Sequence, residues 1–225
     1  RPANIITSIA DVLAGIFIAH TWRDGLFAQN PFTIDSLWLV FSTIGLYGGG
    51  IVLNDVFDAK LDAVERPERP IPSGRATKQG ATILGLSLLV FGVITALQVS
   101  FSSAILATSI AVLVVLYDAW GKHQLVFGPI NMGFCRGGNF LLGVSVIQTA
   151  IAPCLILAVI PVIFIAAVTM VSRGEVNGGN RPAIIAGAIL YLIVLLFLSG
   201  IFLPYKSYQS WYVMPFVFLF AYMVY

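Results

Sequence analysis

Long apolar runs, each near the thickness of a bilayer's hydrocarbon core, follow one another along this chain with only short polar breaks. A helix needs about 20 residues to cross that core, and runs of this kind fall at approximately 3–22, 36–57, 79–98, 103–121, 128–148, 151–172, 182–203 and 210–225. A backbone in lipid must satisfy its own N–H and C=O groups, and these runs are too long for barrel strands. The sequence therefore predicts an all-α, multi-span transmembrane bundle. Composition agrees: 59% of residues are hydrophobic and 10% charged, with a mean hydropathy of +0.95, whereas soluble domains carry about a quarter charged residues. A net charge of +2 gives no case for a nucleic-acid partner. The first run reads as an ordinary first span rather than a signal peptide, because others follow it at once. With no long linker, residues 1–225 read as one transmembrane domain. Arg1 is not an initiator Met and Tyr225 falls inside an apolar segment, so both ends read as trimmed.

The polar loops alternate in content. Those after the second, fourth and sixth runs carry Lys60, Arg66, Arg69, Arg75, Lys78, Lys122, Arg173 and Arg181, while the opposite side carries only Arg23 and Lys206. The positive-inside bias places the charged loops and the N-terminus in the cytoplasm. Every candidate site lies on that face, which suits an enzyme that takes a charged head group from the cytosol and its tail from the bilayer. A transporter would more naturally carry charges at mid-span.

Acidic residues near a membrane span are costly and mark function by default. Asn54, Asp58 and Asp62 recur every fourth residue at the end of the second run, which puts them on one stripe of a helix. Oxygen ligands in such a ladder suit a hard cation such as magnesium. Eight helical residues rise about 12 Å, so Asn54 and Asp62 cannot both bind one ion. Either two ions share Asp58 or the helix unwinds near Asp62. Asp55 points off the stripe, and Glu65 and Glu68 read as solvated loop residues. Beyond the ladder, Arg66 and Arg69 flank Pro67, and Pro70 and Pro72 stiffen the chain. Guanidinium groups on a stiff loop can grip phosphate in bidentate fashion. Arg75 and Lys78 fit a purely topogenic charge better.

Further candidates lie on the same face. In Tyr117-Asp118-Ala119-Trp120-Gly121-Lys122-His123, Asp118 can orient Lys122 or take a metal, Tyr117 can face a reacting carbon, and Trp120 reads as an interfacial anchor. Arg136 and Asn139 lie about two turns into the fifth span. A buried cation needs a partner, so Arg136 forms a structural pair with Asp11 or Asp58, or else faces substrate. Gly137 and Gly138 would let helices approach closely. Ser172 to Arg181 reads as a flexible polar loop with one carboxylate, Glu175. Cys135 and Cys154 read as small buried thiols.

These segments resemble the UbiA superfamily of intramembrane prenyltransferases. The matching residues are Arg1-Pro2-Ala3-Asn4, Asn54 to Asp62, Arg69-Pro70-Ile71-Pro72-Ser73-Gly74, and Arg136-Gly137-Gly138-Asn139 with the Leu-Leu-Gly that comes after Phe140. The resemblance implies eight of a usual nine helices around a prenyl cavity capped on the cytoplasmic side. It implies magnesium-dependent transfer of a polyprenyl group from its diphosphate to an aromatic or lipid acceptor. The site residues it implies are Asn54, Asp58, Asp62 and Glu175 on metal, Arg66, Arg69, Arg136, Asn139 and Arg173 on substrates, and Asp58, Tyr117 and Lys122 in catalysis.

One stretch departs from the family pattern. A second aspartate-rich sequence is expected after the sixth helix, but Ser172 to Asn180 contains no aspartate. Arg173 and Asn180 stand where acidic residues are usual, and a cation there would repel a second metal. Two functions follow: a working prenyltransferase with Glu175 and backbone holding or replacing that metal, or a non-catalytic relative that binds or moves an isoprenoid lipid.

Overall fold

The computed structural model describes residues 2–25, 31–176 and 181–202, excluding the side chains of 2–4, 173–176, 181, 183, 184 and 195–202. Eight α-helices follow in order: α1 (Pro2–Asp24), α2 (Ile34–Phe57), α3 (Ala59–Glu65), α4 (Lys78–Leu97), α5 (Phe101–Ala119), α6 (Phe127–Val144), α7 (Ile151–Val176) and α8 (Arg181–Phe202). Short 3-10 turns lie at Gly121–His123 and Gln148–Ala150. Every predicted span up to 182–203 is found as a helix, while the one at 210–225 lies outside the described residues. α3 is an addition, a short helix inside what read as a loop.

Helix starts follow from side chains that can replace missing backbone partners. Thr33 and Ser36 form a reciprocal capping box before α2, each side chain accepting from the other's backbone N–H at 3.3 Å. Thr77 accepts from the N–H of Gly80 (3.1 Å) before α4, and Ser100 from that of Ser103 (3.0 Å) before α5. Between these caps the helices are apolar around most of their circumference, as expected of segments immersed in lipid. Val90 on α4 and Val112 on α5 are 57% and 61% exposed. Among the described residues, five helices are long and apolar enough to cross a membrane by themselves. α6 is less apolar because Asn131, Arg136 and Asn139 lie along it, and it stops at Val144, short of the predicted end.

The chain divides into two compact units, Arg1–Val162 and Ile163–Tyr225. In the first, α2 and α4 meet through glycines. A β-carbon on Gly45 would stand 2.7 Å from the Leu88 carbonyl oxygen, and one on Gly49 2.8 Å from that of Gly85. Ser42 donates its hydroxyl to the Gly92 carbonyl (2.7 Å) at the same seam. Lipid offers no hydrophobic drive for helix association, so such close van der Waals contact replaces it. Gly15 of α1 packs against the Phe140 carbonyl of α6, and Gly143 of α6 against the Val12 carbonyl of α1. The expected close approaches at Gly137 and Gly138 are present, toward Ala158 and Ile110. In the second unit, Gly187 of α8 packs on Val171 of α7, and the rings of Phe164 and Tyr191 lie 5.7 Å apart.

The seam gives a direct test. Gly49→Leu should cost at least the ~1–3 kcal/mol typical of overpacking, since its neighbour is backbone that cannot rotate away. Gly48→Ala should be nearly silent, because its β-carbon would meet only Leu88 Cδ1 at 3.7 Å. Thermal unfolding of both variants in nanodiscs checks the contrast.

Candidate functional site

α2 ends at Phe57, and Asp58 forms the joint to α3 with φ −85° and ψ 0°. Hydrogen bonds continue across the joint, from Asp58 N to Asn54 O (3.0 Å), Asp62 N to Asp58 O (2.8 Å) and Arg66 N to Asp62 O (2.8 Å). The ladder thus keeps its single stripe, and the interruption lies at its middle rung rather than near Asp62. Each rung takes a different partner. Asn54 Nδ2 donates to Asp118 Oδ1 (3.1 Å) at the end of α5. Asp58 Oδ1 pairs with Lys122 Nζ at 2.5 Å. Asp62 Oδ2 accepts from Arg69 Nη1 (2.6 Å), which also donates to Asp55 Oδ1 (3.2 Å).

The loop between α3 and α4 holds Arg69 by its own backbone bonds. Arg69 N donates to Arg66 O (3.1 Å), Ser73 N to Arg69 O (3.0 Å) and Ala76 N to Pro70 O (2.9 Å). Gly74 turns the chain at φ +76°, a conformation that disfavours side chains. Arg75, expected only as a topogenic charge, donates to Ser73 Oγ (3.0 Å) and to the Glu68 carbonyl. Arg66, Glu65 and Glu68 are exposed. On the facing corner, Trp120 is half-exposed and its ring lies 4.9 Å from that of Phe127, as suits an interfacial anchor. Tyr117 is partly buried beside Asp118.

Deeper in the bundle, Arg136 Nη1 pairs with Asp11 Oδ2 at 3.0 Å, and its guanidinium lies 5.7 Å from the centre of the Tyr47 ring. Of the partners weighed for Arg136, Asp11 is the one in place, while Asp58 belongs to Lys122. Asn139 is fully buried; its Oδ1 accepts from Thr43 Oγ1 (2.8 Å) and its Nδ2 donates to the Ser8 carbonyl (2.8 Å). Asn139 thus ties α1, α2 and α6 together. Tyr47 was not singled out in the sequence, since one tyrosine in an apolar run carries no pattern.

The segment expected as a loop from Ser172 is helical to Val176. Arg173 and Glu175 are on its last turns, and their side chains lie outside the described residues, as do residues 177–180.

The donor set can be tested for a divalent ion. Asp55, Asp58 and Asp62 meet the cations Arg69 and Lys122, and Asp118 joins the ladder through Asn54, so four carboxylates stand with two cations, a formal surplus of two negative charges. Among the described residues no three acidic, histidine or cysteine side chains form a metal cage. Magnesium seldom uses such a cage; it binds through one or two carboxylates together with substrate phosphates. The all-oxygen ladder fits that mode.

Residues 12–225 match the UbiA prenyltransferase family. The chain belongs to this family. Digeranylgeranylglyceryl phosphate synthase of Methanothrix thermoacetophila is 35% identical over 144 residues, 64% of this chain and 51% of that protein. The protein of the same name from Methanopyrus kandleri is 37% identical over 148 residues, 66% of this chain and 51% of its own length. The chain spans about half the length of these curated relatives. Among solved structures, a UbiA homologue from Archaeoglobus fulgidus bound to GPP and Mg2+ matches with a TM-score of 0.78 at 12% identity, over 99% of this chain and 83% of that one. An apo UbiA homologue from Aeropyrum pernix matches with a TM-score of 0.78 at 14% identity, over 100% and 86% of the two chains. This likeness establishes the UbiA fold, an all-helical integral membrane architecture.

Proposed function

We propose that the protein is an intramembrane prenyltransferase that moves a polyprenyl group from a prenyl diphosphate to an aromatic or lipid acceptor. The observation that carries this reading is the cross-braced ladder, in which carboxylates and phosphate-matching cations from two loops meet at one end of the bundle. Asn54, Asp58, Asp62 and Asp118 would hold magnesium, which when bound neutralises the departing diphosphate. Arg66, Arg69 and Lys122 would grip the phosphates, and Tyr117 would face the allylic carbon at the cavity mouth. Beneath them, the Arg136–Asp11 pair and Asn139 would fix the cavity wall and the polar end of the acceptor. Arg173, proposed as a substrate contact, and Glu175, proposed as a metal ligand, are on the last turns of α7.

The family match runs across both units, which supports reading residues 1–225 as one domain. The names of the relatives favour a glyceryl phosphate lipid as acceptor over a free aromatic compound. The loop charges favour a cytoplasmic head-group face and N-terminus. Apolar helix walls would keep water from the allylic cation.

Asp58→Asn tests the reading against Glu68→Gln. The first removes the middle rung of the ladder and the second an exposed loop charge. Magnesium-dependent binding of a prenyl diphosphate, followed by titration calorimetry in nanodiscs, should fall at least tenfold for Asp58→Asn and stay unchanged for Glu68→Gln. Equal losses would mean that the ladder is only a helix end.

A further inference from the structure

We infer that Asn131 is a further head-group residue, whose side-chain amide is held ready for a phosphate oxygen of the diphosphate; the inference rests on the function proposed above. Asn131 lies in the first turns of α6 and is 1% exposed. Its Oδ1 has one long contact, from the Cys135 thiol at 3.9 Å. Its Nδ2 is enclosed and makes no hydrogen bond among the described residues. Buried amides are almost always paired, so an unpaired one asks for a ligand or for another explanation.

The position of that nitrogen supplies the ligand. A β-carbon on Gly121 would stand 3.2 Å from Asn131 Nδ2, so the amide packs directly on the 3-10 turn Gly121–His123. The next residue, Lys122, carries the ammonium that pairs with Asp58, and Asp118 in the turn before bonds Asn54. The unpaired donor therefore abuts the corner from which a cation reaches the ladder. An amide N–H is a neutral donor, so it can meet an anionic oxygen there without adding to the formal charge around the carboxylates. In a site poor in water, such a bond to a charged acceptor is stronger than one between neutral groups.

The sign of the stability change separates this role from a structural one. If the amide waits for ligand, Asn131→Leu removes an unpaired buried polar group of similar size, and the free protein should melt at the same temperature or higher. If the amide already serves the fold, the same change lowers the melting temperature. The probe is inorganic pyrophosphate with magnesium, titrated calorimetrically into the full chain in nanodiscs, with melting followed in parallel. Asn131→Leu should weaken binding by roughly ten- to a hundredfold, the range for a hydrogen bond to a charged group. Pyrophosphate should also raise the melting temperature of the wild type more than that of the variant. Unchanged affinity, or a lower melting temperature of the ligand-free variant, overturns the inference. A wild-type chain that ignores magnesium pyrophosphate overturns the head-group reading and this inference with it. Normal wild-type binding with an unaffected variant overturns the role of Asn131 alone.

Discussion

Lys122→Met is expected to tighten the binding of magnesium alone while weakening the binding of pyrophosphate. The opposite signs follow from the partners that these side chains have in the structure. Lys122 covers Asp58 at 2.5 Å, and Arg69 covers both Asp62 and Asp55. An ion approaching Asp58 must first displace the Lys122 ammonium, which an incoming anion can receive. A diphosphate supplies that anion, so each ligand lowers the cost of the other, and linkage makes the effect reciprocal. Removing the ammonium abolishes the competition and also one phosphate contact. Magnesium affinity should rise about tenfold, equivalent to about 1.4 kcal/mol, and pyrophosphate affinity at saturating magnesium should fall by a similar factor. Calorimetric titrations of each ligand, alone and with the other present, measure all four constants. Weaker magnesium binding by the variant would show that Lys122 and the ion do not compete for Asp58.

The second large effect is expected at the Arg136–Asp11 pair. Breaking a buried pair from one side strands the other charge and costs about 3–5 kcal/mol, whereas replacing both partners by apolar groups is often neutral or stabilising. Asp11→Ala should therefore unfold far more readily than the wild type, with Arg136 stranded over the Tyr47 ring. The double variant Asp11→Ala/Arg136→Met should recover most of the loss. Reversible unfolding in bicelles gives the three stabilities and hence the coupling energy. A double variant as unstable as the single one would mean that Arg136 supports the fold through Tyr47 rather than through Asp11.

Most of the fold could be read because span length and apolarity are local properties. α6 was legible despite its polar residues, since one arginine and two asparagines in 18 positions do not hide a helix. The joint at Asp58 was not legible, because Asp58, Ala59 and Lys60 carry no breaker residue. The helical continuation to Val176 was also missed: the glycines made Ser172 to Arg181 read as a loop, but Gly174 alone costs a helix only about 1 kcal/mol. In the site, the four-residue spacing made the ladder visible, but the choice of partners depends on how each helix is rotated. Asp118 was weighed as a residue that orients Lys122 or takes a metal, and its bond from Asn54 was not foreseen. Asp55 lay off the ligand stripe, and the return of Arg69 from the loop reaches it. Asn131 escaped notice because its meaning lies in an absent hydrogen bond, which no sequence pattern records.

The two walls of the ladder differ in stiffness. Residues 66–77 are suspended between α3 and α4; α2, to which α3 is joined, touches α4 backbone to backbone at Gly45 and Gly49. That loop is also laced by Arg75 and by successive backbone bonds. The facing corner, residues 120–126, has backbone bonds of its own, but neither the 3-10 turn Gly121–His123 nor the start of α6 has a side-chain cap. The caps are thus unevenly shared between the two sides of the ladder. In the site proposed above, tolerance for bulkier head groups would then depend more on the corner that carries Lys122 than on the loop that carries Arg69.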